Sequence, residues 1–216
     1  MKTDLRIVIV GGGRTGLQTA TTLDDRGHDV VVVECDPDRA DEISDEYVAT
    51  VIQGDGTSPP ILRQADLENT DALAALTRNS GANLAACLVA DRIAPSVRTV
   101  MRRTESGDGE YDDLVDETVY PEHAGARMAV NAIDPSVRTL EDMVGDLDVL
   151  VIQVTEEAPV AGKKLEEIAI PEGSLVVSGA QGDTTAGPET VLEPGRSYVV
   201  ATEPDVEKEI HRLFRG

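Results

Sequence analysis

Residues Ile7–Ala20 read IVIVGGGRTGLQTA. The apolar run Ile7–Val10 is a buried strand, the glycines are a turn, and a helix follows. Gly11, Gly13 and Gly16 give G-x-G-x-x-G. In that pattern the first glycine permits a tight turn and the second lets backbone approach a pyrophosphate. The third permits close packing of helix on strand. The mouth of the helix offers unpaired N–H groups and a partial positive charge to an anion. Thr15 lies at that mouth. Arg14, inside the turn, brings a fixed charge near the phosphates and suits a third one.

The next apolar strand, DVVVVE, ends at Glu34, 18 residues after Gly16. A carboxylate there accepts hydrogen bonds from ribose hydroxyls and repels a 2′-phosphate. That favours NAD or an adenine nucleotide over NADP. Asp36 is the rival for the ribose; its competing role is the N-cap of the following helix.

Working outward, the pattern predicts strands at Leu5–Val10, Asp29–Glu34, Ala49–Gln53, Ala72–Leu76 and Val97–Arg102. Helices are expected at Thr15–Arg26, Pro37–Asp45, Pro60–Ala65 and Ala82–Ile93. A polar loop, Thr104–Gly109, leads to a last strand within Leu114–Tyr120 and an Ala-rich helix, Glu122–Ile133, stopped by Asp134-Pro135. The cadence is that of a Rossmann-like, doubly wound parallel α/β sheet. It is assigned to residues 1–139. Residues 140–216 read as a smaller α+β domain. Its expected strands are Leu147–Val154, Ser174–Ser178 and Ser197–Thr202, with a short helix Ala161–Ile168 and a terminal amphipathic helix Asp205–Phe214.

Of the 216 residues, 40% are hydrophobic but only 2% aromatic, so the core must be Val, Ile, Leu and Ala. The net charge of −22 argues against nucleic acid or anionic lipid as a direct partner. Four of the nineteen basic residues are Lys and fifteen are Arg, a balance suited to a high-salt cytoplasm. No apolar run approaches the ~20 residues of a membrane span, and the N-terminus lacks signal-peptide features. A cytoplasmic protein without membrane insertion is expected. Cys35 and Cys87 match no zinc or redox spacing and read as small buried apolar residues.

A dehydrogenase usually needs a positioned acid–base. His28 falls in a turn at the far end of the first helix and His211 on the last helix. Only His123 falls near the expected nucleotide edge. No nucleophile–base arrangement stands out, so binding without chemistry is expected, with no catalytic residue assigned. An NAD-dependent oxidoreductase is the competing reading.

Together, IVIVGGGRTG, DRGHDVVVVECD, VIQGDGTSPPIL, TRNSGANLAACLVA, VRTVMRR and VYPEHAGARMAV resemble the regulator-of-K⁺-conductance (RCK) family. Within it they are similar to the TrkA-like regulatory subunits of Trk/Ktr potassium uptake. The tail, with APVAGKKL and a late LEPG turn, resembles the family's small C-terminal domain. The resemblance implies NAD(H), ATP or ADP as a regulatory ligand. It implies a homodimer assembling into a ring, commonly an octamer, beneath a separate membrane transport subunit. A potassium channel or a cation/proton antiporter is the alternative client. By position it implies that Gly11, Gly13 and Gly16 form the phosphate turn, with Arg14 on the terminal phosphate and Glu34 on the ribose. Asp55 would edge the adenine, Thr77 would meet the pocket from the fourth strand, and Arg103 would be the fifth-strand arginine near the nucleotide. Glu122 matches a carboxylate that helps hold a divalent cation in some members. The helix Glu122–Ile133 would pack on a second subunit. The C-terminal domain is expected to serve oligomerisation, with a second effector as the lesser alternative.

Overall fold

β1 (Arg6–Val10) is the pivot of a six-stranded parallel sheet. β2 (Asp29–Glu34) pairs on one side of it and β4 (Ala72–Ala75) on the other, so that Ile9 lies between Val32 and Ala74. β3 (Thr50–Gln53), β5 (Arg98–Arg102) and β6 (Glu117–Val119) complete the order β3-β2-β1-β4-β5-β6. The chain winds outward from β1 in both directions, which leaves a crevice beyond the carboxyl ends of β1 and β4. The computed structural model describes residues 4–45, 49–104, 111, 113–142, 147–179 and 185–216.

Successive strand residues point to opposite faces, and two cores follow. Val8, Val10, Val31, Val33 and Leu73 pack with Leu62 of α3 (Pro59–Gln64) and with Ala86, Cys87 and Ala90 of α4 (Ser80–Ile93). Ile7, Ile9, Val30 and Val32 pack with Ala20 of α1 (Arg14–Asp25) and Ile43 of α2 (Pro37–Asp45). The double-faced apolar strands thus fill both sides of a three-layer α/β/α unit, as their unbroken Val and Ile runs require.

By contacts the chain divides into residues 1–123 and 124–216. α5 (Pro121–Ile133) begins in the first unit and continues into the second. The second unit holds a four-stranded antiparallel sheet, order β7-β8-β10-β9. These strands are β7 (Val137–Asp142), β8 (Asp148–Gln153), β9 (Ser174–Gly179) and β10 (Ser197–Thr202). One face, with Ile152, Val176, Tyr198 and Val200, is closed by Ile210 and Phe214 of α6 (Glu207–Arg215).

Two elements differ from expectation. The helix expected at Ala161–Ile168 is only a 3₁₀ turn, Leu165–Glu167. Gly162 is left-handed, and the amides of Gly162 and Leu165 donate to the carbonyls of Leu192 and Thr190, so this backbone bonds to a neighbouring segment. β7 was not foreseen. It is an edge strand, and the Asn131 side chain holds Thr139 from both sides, donating to its carbonyl at 2.8 Å and accepting its N–H at 3.1 Å. The expected loop at 104–109 lies outside the described residues, apart from Thr104.

α5 buries none of its side chains; Met128 is 72% exposed and Ile133 82%.

Candidate functional site

The crevice beyond β1 and β4 has a volume of about 1010 Å³. That is large enough for a dinucleotide or a nucleoside triphosphate. Its walls carry Gly11, Gly13, Arg14, Thr15, Glu34, Asp36, Asp55, Thr77 and Glu122 from the expected set. Arg39, Arg78 and Arg102 also line it.

The turn is built for close approach. Gly11 has φ +101°, a conformation that side-chain-bearing residues rarely adopt. A Cβ on Gly16 would lie 1.9 Å from the Gly11 carbonyl oxygen, so α1 rests directly on the turn. Nothing lies within 4 Å of where a Cβ of Gly13 would be, which leaves that backbone open to the crevice. Gly13 is the N-cap of α1 and supplies no side-chain cap. The amides of Arg14, Thr15 and Gly16 therefore have no acceptor within the helix, and they face the crevice mouth with the positive end of the helix dipole. An anion fits there.

Glu34 is 8% exposed. One carboxylate oxygen accepts the Gly12 amide at 2.6 Å and the other accepts the Asp36 amide at 2.9 Å. Burial pushes its pKa up, but the Asp36 and Gly12 amides outweigh that and hold it below the ordinary glutamate value. An ionised carboxylate is an acceptor only, so a ribose hydroxyl reaching it would donate. Asp36 takes its competing role. Its side chain accepts the Arg39 amide at 3.1 Å, capping α2, while it also lines the crevice. Asp55 accepts the amide and the hydroxyl of Thr57, which lower its pKa.

The fifth-strand arginine at the crevice is Arg102, not Arg103. Arg102 reaches toward Thr15 Oγ1 at 3.4 Å and pairs with Glu122. Arg103 is buried behind it, its guanidinium over the rings of Tyr111 at 4.7 Å and Tyr120 at 5.2 Å. Glu122 is held ionised by its own backbone amide and by Arg102, which lower its pKa. Among the described residues no group of three or more His, Cys, Asp or Glu could hold a metal ion. Glu122 is the ion-pair partner of Arg102. Cys87 is buried as expected, but Cys35 is exposed at the crevice wall, because β2 ends at Glu34.

Asn83, like the lining Arg39, Arg78 and Arg102, is a residue that sequence reasoning missed. It is fully buried. Its Oδ1 accepts the Thr77 amide at 3.0 Å and the Thr77 hydroxyl at 2.6 Å. Its Nδ2 donates to the carbonyls of Thr77 at 3.0 Å and Arg102 at 2.9 Å. One side chain thereby fixes the ends of β4 and β5, both of which line the crevice. Its place on α4, six residues after Thr77, was the only signal.

Among the described residues no histidine or lysine lines the crevice. His28 accepts the Leu5 amide at the opposite edge of the sheet, His123 stacks on Tyr120, and His211 lies 3.4 Å from Glu207 on α6.

Comparison with known proteins places these features in a family. Residues 7–132 match the TrkA-N domain model and residues 149–215 the TrkA-C domain model. A Trk system potassium uptake protein TrkA homolog of Pyrococcus abyssi is 35% identical over 181 residues, covering 80% of this chain and 79% of its own. One from Methanothermobacter thermautotrophicus is 30% identical over 217 residues, covering 97% and 99%. Among solved structures, the GsuK channel bound to NAD superimposes with a TM-score of 0.60 at 20% identity, over 99% of this chain and 40% of that one. That likeness bears on the fold, and this chain spans less than half of the channel chain. With both domain models matched in order along its length, the chain belongs to the family built of a TrkA-N domain followed by a TrkA-C domain.

Proposed function

We propose that this protein is a non-enzymatic, nucleotide-sensing regulatory subunit of a Trk/Ktr-type potassium uptake system, acting on a separate membrane subunit. The observation that carries the reading is the crevice at the switch point. It joins open helix amides, a buried ionised Glu34 and several arginines in a chain of net charge −22. Such a local concentration of positive groups favours a polyphosphate ligand. NAD(H), ATP or ADP fits the combination of ribose carboxylate and phosphate turn. The relatives' description as potassium uptake proteins supports the client.

The bare apolar residues of α5, Met128, Val130 and Ile133, support a homodimer as the unit of a larger ring. The protein would then work at the inner face of the cell membrane through its partner. A ligand changes the gate only by its differential affinity for two arrangements of that assembly, typically 1–3 kcal/mol per site. Calorimetric titration of NAD⁺, NADH, ATP and ADP in molar KCl tests the reading. Saturable binding of at least one is expected; flat titrations with all four would remove its basis. Reconstitution with a Trk-type membrane subunit, followed by ion flux with and without the bound nucleotide, tests the client.

A further inference from the structure

The motif contains three consecutive glycines, and the middle one, Gly12, has no part in the usual phosphate pattern. Both of its backbone polar groups are nevertheless held by side chains. Glu34 accepts its N–H at 2.6 Å. Arg39, from the first turn of α2, donates its Nε to the Gly12 carbonyl at 2.9 Å. A Cβ at this position would meet Ile43 Cδ1 at 2.1 Å, so Gly12 also lies flat against α2. The Arg39 guanidinium is steadied in turn by Glu42 at 2.7 Å.

Gly12 thus lies in a grip between a carboxylate and a guanidinium, both from the ribose side of the crevice. The consequence falls one residue later. The carbonyl that Arg39 holds belongs to the Gly12–Gly13 peptide, which leads directly into the run of phosphate-facing amides, those of Arg14, Thr15 and Gly16. Fixing that peptide plane fixes where the run points. Amides already aimed at an anion bind it without first losing freedom.

We infer that Arg39 is a positioning residue for the phosphate subsite, acting through the Gly12 carbonyl rather than by touching the ligand. The inference rests on the nucleotide reading above. It makes a selective forecast. A ligand with phosphates depends on the grip, and a nucleoside without them does not.

The test compares ADP with adenosine by calorimetry on the full chain. Arg39→Met is expected to weaken ADP about tenfold and adenosine less than about twofold, with an unchanged thermal midpoint. Arg39→Gln retains an N–H that can reach the same carbonyl, and it is expected to keep ADP affinity within about threefold of the original. Equal losses for ADP and adenosine in Arg39→Met, or no loss for ADP, would overturn the inference. So would a loss in Arg39→Gln as large as in Arg39→Met. Should Arg39→Met not fold, the glutamine variant decides alone by the same threefold limit. If the unmodified protein bound no ADP, the nucleotide reading would fall first and this inference with it, a result distinct from selective failure of the variants.

Discussion

The side-chain amide of Asn83 donates to the backbone carbonyl of Arg102 across 2.9 Å, from inside the fold. Because the same amide group also satisfies Thr77 on three sides, the ends of two neighbouring strands share one anchor. Asn83→Leu removes the anchor and leaves Thr77 and Arg102 backbone groups without partners. A loss of about 2–3 kcal/mol in urea unfolding is expected. A change below roughly 0.5 kcal/mol would mean that water replaces the network at no cost.

Gly16→Ala places a methyl against the Gly11 carbonyl, a backbone atom that cannot swing aside. Overpacking of this kind costs roughly 1–3 kcal/mol. The turn must move to make room, so nucleotide affinity should fall together with the thermal midpoint. Gly125, within exposed α5 and with nothing within 4 Å of its missing Cβ, is the control: Gly125→Ala should leave nucleotide affinity unchanged and should not lower the thermal midpoint.

Acid should unfold the protein through its hydrogen-bonded carboxylates. Glu34, Asp55 and Asp116 all have lowered pKa values; for Asp116 the Thr99 amide and hydroxyl are the main cause. The unfolded chain therefore takes up protons first as pH falls. Their stabilisation is present above about pH 5 and is lost progressively below about pH 4. Glu34→Gln should be less stable at pH 7 by about 1–3 kcal/mol, with the difference narrowing toward pH 3. A gap that stays constant over that range would contradict the assignment.

Glu122 competes with ligand phosphates for Arg102. In buffer without divalent metal, Glu122→Gln should bind ATP about two- to fivefold more tightly, and Arg102→Met should bind it more weakly. Adenosine affinity should change in neither variant. Calorimetry with the two ligands reads both effects.

Ile133→Asp on the bare side of α5 should reduce the sedimentation coefficient of the assembly without lowering the thermal midpoint of the monomer. An unchanged sedimentation profile would move the proposed subunit contact elsewhere.

Much of the site was legible because its signals are local. The glycine turn, Glu34 at a strand end and Asp36 before a proline all fall within about thirty residues, in the first β–α–β unit and the residues just after it. The rest depended on distance or on phase. Arg103 directly follows Arg102, the last residue of β5, and a shift of one residue exchanges crevice for interior, so the sequence alone could not choose between them. Asn83 looks like any polar residue of a helix until β4 and β5 converge on it. Gly12 was indistinguishable from a spacer, since its partners come from β2 and α2. β7 carries Arg138, Glu141 and Asp142, a charge content that masks a strand whose pairing lies on one edge only.

The Asn131 amide beside Thr139 imitates a peptide unit of an adjoining chain, offering both a donor and an acceptor to the margin of the antiparallel sheet. An exposed margin of that kind is a template for fibrous self-association. Here the template is already occupied at its middle residue by the protein's own helix, so a foreign segment would have to evict a two-point contact before it could add on.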